Sequence, residues 1–181
     1  MSAGAILTYA SRDGQARRIA ERVGHILETA PRDLKSEPPG ADELAAAPLL
    51  VVVAAVRYGK HLPEANDFLD RYAKLTARPP LVLASVNLTA RKEGKRSAEG
   101  NAYLRKLIAQ YRLEPALATA FAGRLEYARY RWSDRQLIRF IMLLTGGPTD
   151  PSTCVEYTDW AAVDEFARKA VRFLIETRQK R

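Results

Sequence analysis

Short apolar runs alternate along this chain with segments in which apolar residues recur every three or four positions. Ala5-Ile6-Leu7-Thr8-Tyr9 is compact and rich in β-formers, and predicts a buried strand. Turn chemistry at Ser11-Arg12-Asp13-Gly14-Gln15 ends it. Ile19, Val23, Ile26 and Leu27 then fall at helical spacing, with Arg17, Arg18, Glu21 and Arg22 facing outward. Pro31 and the Pro38-Pro39-Gly40 turn bracket a brief edge strand over Asp33 to Ser36. Leu49 to Val56 is apolar at every position, the pattern of a central parallel strand covered on both faces. A loop, Arg57-Tyr58-Gly59-Lys60-His61, leads to a helix from about Pro63 to Leu75. Leu81 to Val86 reads as a strong strand ending at Asn87, followed by a basic loop and a helix around Ala102 to Gln110. Ala118 to Gly123 makes a fifth strand. The last helix starts near Thr158 or Asp159, both good caps, and carries Trp160, Val163, Phe166, Ala170 and Leu174 on one face.

Strands alternating with helices at this spacing predict an α/β fold, a doubly wound five-stranded parallel sheet of order 2-1-3-4-5 with right-handed crossovers. All 181 residues are expected to form one domain. Residues 124–157, between the fifth strand and the last helix, do not fit. Connections in such folds usually run about 2–6 residues, so this stretch reads as a basic, aromatic insertion with a function of its own.

Composition narrows the classes further. With 47% apolar and 28% charged residues the chain is a folded globular protein, and its length lets it bury a core without disulfides or metal. The single cysteine, Cys154, rules out an internal disulfide, and two histidines, His25 and His61, are too few for a structural zinc site. The first residues have no basic n-region and the second residue is not glycine, so neither a secretion signal nor myristoylation is expected. The longest uncharged run, Leu44 to Val56, contains Pro48 and is too short to span a bilayer. A cytoplasmic protein, soluble or peripherally attached, is the expectation.

The charge is uneven. Lys and Arg number 29 against 21 acids, a net of +8. Twelve basic and five acidic residues lie between Ser85 and Arg139, so under a third of the chain carries nearly all of the excess. A field of that sign draws phosphate, carboxylate or anionic lipid. Tyr127, Tyr130 and Trp132 interleave with these arginines, which sets the stretch apart from a plain solvated face. Nucleic acid is not an expected partner, because neither a recognised motif nor a charge-lined sheet face supports it.

In this architecture ligands bind outside the carboxyl ends of the strands, where strand order reverses. Three loops meet there. Ser11, Arg12, Asp13, Gly14, Gln15 and Ala16 join the first strand to the first helix, where backbone N–H groups and the Ser11 hydroxyl can hold a phosphate. Gly14 lets the backbone turn sharply and come close. Arg57, Tyr58 and Gly59 offer an aromatic wall on which a planar ring can stack. Ser85, Val86, Asn87 and Leu88 can present backbone amides and the Asn87 side chain to the polar edge of that ring. Phosphate cradle, aromatic wall and amide edge together describe a site for FMN. The absence of a dinucleotide-type glycine triplet disfavours NAD.

These segments carry a family resemblance. Ser11-Arg12-Asp13-Gly14-Gln15, Arg57-Tyr58-Gly59, Ser85-Val86-Asn87-Leu88 with Ala90-Arg91-Lys92, and Arg129-Tyr130-Arg131-Trp132 with Asp134-Arg135 all match. Gly146-Gly147, Thr149-Asp150 and Tyr157-Thr158-Asp159-Trp160 complete the set, which spans nearly the whole chain. The sequence closely resembles the flavodoxin-like, quinone-dependent protoporphyrinogen oxidases (menaquinone-dependent protoporphyrinogen IX dehydrogenases) of bacterial haem synthesis. The arginine-tyrosine-tryptophan block is its most specific part, because ordinary flavodoxins lack that insertion. The resemblance implies bound FMN, oxidation of protoporphyrinogen IX to protoporphyrin IX, and electron delivery to a membrane quinone, menaquinone or ubiquinone. It also implies peripheral attachment to the cytoplasmic face of the inner membrane. One departure is Ala16, which stands where a threonine would close the phosphate loop.

The substrate's two propionates suit an arginine-rich surface, with Arg91, Arg124, Arg129 and Arg131 the expected partners. Leu137, Ile138, Phe140, Ile141, Met142, Leu143 and Leu144, behind a block of arginines, form either a helix lying in the interface of an anionic membrane or a helix packed on the sheet. No residue stands out as a catalytic base. A general flavin quinone reductase and an electron-carrier flavodoxin are the competing readings, the second disfavoured by the positive net charge. The insertion is expected to serve substrate and quinone while leaving the flavin pocket to the three loops.

Overall fold

The computed structural model describes residues 4–179, the side chain of Arg129 excepted. In chain order the elements are β1 (Ile6–Ala10), α1 (Gln15–Leu27), β2 (Pro31–Asp33), α2 (Ala41–Ala46), β3 (Leu50–Arg57), β4 (Lys60–His61) and α3 (Pro63–Ala73). They continue with β5 (Leu81–Val86), α4 (Ala102–Tyr111), β6 (Leu117–Phe121), β7 (Arg124–Glu126), α5 (Trp132–Thr145), β8 (Cys154–Glu156) and α6 (Trp160–Gln179). Five strands pair in parallel in the order β2-β1-β3-β5-β6. That is the expected doubly wound, flavodoxin-like order.

Residue alternation along β3 explains the two layers of helices. Val51 and Val53 pack with Ile19 and Val23 of α1 and Val163, Phe166 and Ala170 of α6 on one face. Leu50, Val52 and Ala54 pack with Phe68 and Leu69 of α3 and Leu104 and Leu107 of α4 on the other. Phe121 and Phe166 meet edge to face at 5.4 Å between centroids, tying β6 to α6. Asp159 caps α6 by accepting the Ala162 N–H at 3.1 Å, as its residue type predicts.

Several boundaries differ from the sequence expectation for local reasons. The edge strand is Pro31–Asp33 rather than 33–36, because the Asp33 carboxylate accepts the Lys35 N–H at 2.9 Å and its carbonyl accepts the Glu37 N–H, curling the chain into a turn. The fifth parallel strand is Leu117–Phe121 rather than 118–123. The short helix α2 carries no strong periodicity and is held by the Glu43 carboxylate, which accepts the Gly40 N–H at 2.8 Å. The loop after β3 is a tight hairpin: Tyr58 and Gly59 both have positive φ, 51° and 75°, which turns β4 back antiparallel onto β3.

Residues 124–157 form an ordered unit. β7 and β8 pair antiparallel, and Leu125, Tyr127, Tyr130 and Met142 make a small core beneath α5. Arg135 donates to the Tyr127 carbonyl at 3.1 Å and Arg139 to the Thr149 carbonyl at 2.8 Å, pinning the helix at two places along its length.

Candidate functional site

The loop after β1 leads directly into α1. Gly14 stands at the helix N-cap with φ 90°, and its N–H donates to the Ser11 hydroxyl at 3.1 Å. No acidic residue lies in the first turn of α1, so the positive end of the helix dipole is not neutralised there. Gln15 tethers the loop. Its side chain turns away to Glu156 at 3.2 Å and Thr158 at 2.8 Å, joining the loop to the β8–α6 corner. Burial works against the Glu156 charge, but hydrogen bonds from Arg18, Gln15 and Trp160 outweigh it and hold the carboxyl below its ordinary range. Ala16 is buried against the sheet.

At the end of β3, Arg57 lies between two aromatic faces, its guanidinium carbon 5.3 Å from the Tyr58 ring centroid and 5.4 Å from that of Tyr130. One of its nitrogens pairs with Asp13 of the first loop, another with Asp134 of α5 at 2.7 Å. Burial opposes the guanidinium charge, but Tyr58, Asp134 and Asp13 together push its pKa above the ordinary arginine value. The Tyr58 hydroxyl donates to the other oxygen of Asp134.

At the end of β5 the expectation needs correcting. Ser85 does not face the cleft: it lies on the α3–α4 side of the strand, fully buried, 2.8 Å from His61 Nε2. The Asn87 side chain reaches the cleft edge with its amide groups already used, donating to Ser85 and Asn101 and accepting from Ala90 N–H and Asn101. It braces the loop instead of offering its amide outward. His61 is neutral at physiological pH, since burial lowers its pKa to about 4.

These three strand-end loops and α5 enclose one cleft. Ser11, Arg12, Asp13, Gln15, Ala16, Arg57, Tyr58, Gly59, Val86, Asn87, Leu88, Arg91 and Arg124 line it; Gly14, Ser85 and Arg131 do not. Arg131 is exposed at the start of α5, and the side chain of Arg129 lies outside the described part of the structure. Arg91 is committed elsewhere than expected: it donates to the Leu88 carbonyl at 2.9 Å and to Thr145 Oγ1 at 2.9 Å, clamping the end of α5. Arg124 pairs with Glu126 at 3.4 Å and donates to Cys154 Sγ. Arg12 and Lys92 line the cleft with no ion pair or hydrogen bond on their side chains among the described residues.

The fourth wall was not anticipated. Tyr130, Leu137, Ile138, Ile141 and Thr145 come from the 124–157 segment, so the cleft is not separate from it. The spacing of residues 134, 138, 141 and 145 on one helical face was the available signal.

Comparison with known proteins adds the lineage. Residues 6–152 match the flavodoxin domain family. The chain is 34% identical over 171 residues to a protoporphyrinogen IX dehydrogenase [quinone] of Escherichia coli K12, covering 91% of this chain and 92% of that protein. A Leishmania major protein of the same name is 37% identical over 168 residues, covering 90% and 72%. The chain belongs to the protoporphyrinogen IX dehydrogenase [quinone] family. Its fold also superposes on oxidised flavodoxin 1 from Bacillus cereus, with a TM-score of 0.51, 11% identity, and coverage of 94% of this chain and 97% of that one.

Membership in this dehydrogenase family makes the protein an oxidoreductase, and its flavodoxin domain makes FMN the cofactor. The residues present fit that group. Open space surrounds the α position of Gly14, the helix start carries no acid, and an aromatic side chain faces the same cleft. With no hydroxyl at Ala16, the donors on this loop are its backbone N–H groups, the Ser11 hydroxyl and the Arg12 side chain.

Proposed function

We propose that this protein oxidises protoporphyrinogen IX to protoporphyrin IX and passes the electrons to a membrane quinone, menaquinone or ubiquinone. The observation that carries the reading is the shared cleft: the three loops that suit FMN and the basic, aromatic 124–157 segment line the same space. FMN, when bound, supplies the two-electron acceptor chemistry, used over three rounds for each tetrapyrrole. The protein's part is to hold and orient. The first loop and the start of α1 take the phosphate, and Tyr58 with the backbone of Val86 to Leu88 frames the ring. Lys92 and Arg124 supply positive charge for the propionates, with Arg131 at the N-terminal end of α5. Leu137, Ile138 and Ile141 give the tetrapyrrole or the quinone an apolar wall that excludes water.

The second part of the reading is peripheral attachment to the cytoplasmic face of the inner membrane. No helix among the described residues is long and apolar enough to cross a membrane. Trp132, Phe140, Leu143 and Leu144 stand on the outer face of α5, Trp132 at 75% and Leu144 at 70% exposure. Leu137 and Ile141 are partly exposed and also line the cleft, so the apolar surface runs from the outside of α5 into the site. A quinone dissolved in lipid would reach the cleft along that path.

The test is a purified, FMN-loaded protein supplied anaerobically with protoporphyrinogen IX and a short-chain quinone. Quinone-dependent appearance of protoporphyrin supports the reading. Quinone reduction with artificial donors, but none with protoporphyrinogen, would leave a general quinone reductase. Electron exchange with protein partners alone would leave a carrier.

A further inference from the structure

Asp134 is one of the points where the 124–157 segment grips the rest of the site. It lies in the first turn of α5 and is only 8% exposed. Its carboxylate receives the Arg57 guanidinium on one oxygen and, on the other, the Tyr58 hydroxyl and the Ser133 hydroxyl at 3.4 Å. Arg57 in turn reaches Asp13, so phosphate loop, ring loop and α5 are joined in one chain of charge-assisted bonds. These bonds hold the carboxyl below its ordinary range, Tyr58 contributing most and Arg57 next.

A plain surface ion pair does not describe this arrangement. The Arg57 and Asp134 side chains are 14% and 11% exposed, and a buried pair adds little net stability over apolar packing. What such a pair gives is a defined arrangement of the groups it joins. Tyr58 shows why one is needed. The residue sits at positive φ, where side chains other than glycine are disfavoured, and it is 56% exposed. Little packing holds its ring. The contacts that fix it are the stacked Arg57 and the hydrogen bond to Asp134, and Asp134 also orients Arg57.

We propose that Asp134 is the positioning residue that seats Tyr58 and Arg57 in the cleft, so that cofactor binding and the seating of α5 are one coupled event. The proposal rests on the FMN assignment and extends it to a residue outside the three loops. Coupling of this kind is reciprocal: if a seated α5 favours FMN, FMN must favour a seated α5 by the same factor.

The experiment uses the full chain, stripped of FMN and titrated with it by flavin fluorescence. Asp134→Ala and Tyr58→Phe are each expected to raise the FMN Kd on the order of 10-fold, within the usual range for such couplings. Tyr58→Phe keeps the ring and the fold and removes only the tether, so it remains informative if Asp134→Ala is poorly folded. The double variant should be no weaker than the worse single, because both changes break the same bond. Hydrogen exchange gives the reciprocal readout: FMN should slow exchange across α5 in the wild type and fail to do so in Tyr58→Phe. Kd values within twofold of wild type, additive losses in the double variant, or equal FMN protection of α5 in Tyr58→Phe would each overturn the role of Asp134. A wild-type protein that takes up no FMN would overturn the cofactor assignment together with it.

Discussion

Arg57 and Asp134 lie 77 residues apart in sequence and 2.7 Å apart in space, one at the end of β3 and the other at the start of α5. Arg57 also reaches Asp13 and Asp134 also receives Tyr58, so loss of the cation takes the guanidinium from two carboxylates at once. Arg57→Met should lower unfolding stability by about 2 kcal/mol, less than a fully buried pair because both side chains keep some contact with water. Arg57→Lys should recover less than half, since a single ammonium cannot fork between two carboxylates or stack flat between Tyr58 and Tyr130. Chemical denaturation of the three proteins measures this. Equal stability of Lys and Arg would show that charge alone matters.

Arg91 fastens the other end of α5. Its bonds to Leu88 and Thr145 join the segment after β5 to the end of α5. Arg91→Met should cost about 1.5–3 kcal/mol, as for hydrogen bonds to charged groups, and speed proteolysis near Gly146-Gly147. An unchanged cleavage rate would remove Arg91 from that task.

His61 should make stability depend on pH. Its folded pKa of about 4 lies below the ordinary value of 6.5, so on acidification the unfolded chain takes up the proton first. The stabilisation is complete above about pH 6.5 and is lost as pH falls from there toward 4. Between pH 7.5 and pH 5 the loss is about 2 kcal/mol. His61→Gln should show a flatter profile over this window. Parallel profiles would mean that His61 titrates normally in the folded protein.

How much of this was legible beforehand depends on where each signal lies. β5 matches its expected bounds, because an apolar run between Pro80 and Asn87 specifies a strand and both its ends locally. The sheet order followed from the same local patterns. β4 escaped notice because two residues have no period, and the positive φ of Tyr58 is not written in a tyrosine. Ser85 and Asn87 lie in the loop expected of them, but their side-chain partners His61 and Asn101 come from distant segments, which local sequence does not show. Arg91 was expected to meet a propionate, and its guanidinium is taken up by the Leu88 carbonyl and Thr145; Arg135 and Arg139 are taken up in the same way by the Tyr127 and Thr149 carbonyls. Charge is visible in a sequence; its partner is not.

Reversing Arg135 or Arg139 would unpin α5, so weaker vesicle binding would not identify a lipid contact. Changing Trp132, Phe140, Leu143 and Leu144 to serine alters only exposed positions. This variant should keep its fold and FMN and lose at least about tenfold in binding to anionic vesicles, since each large apolar side chain is worth about 1.5–3 kcal/mol when fully buried. Arg131→Glu should weaken the remaining binding at low salt and have little effect at high salt. Undiminished binding of the serine variant would place membrane contact elsewhere or nowhere.

The account stands most directly on one measurement: anaerobic turnover of protoporphyrinogen IX by the FMN-loaded protein with a soluble quinone, followed by protoporphyrin fluorescence and quinone absorbance together. Both signals should rise in step, with three quinones reduced for each protoporphyrin formed, and both should vanish when FMN is removed. A yellow protein that reduces quinone from an artificial donor, yet leaves protoporphyrinogen unchanged beyond its spontaneous oxidation, would contradict it.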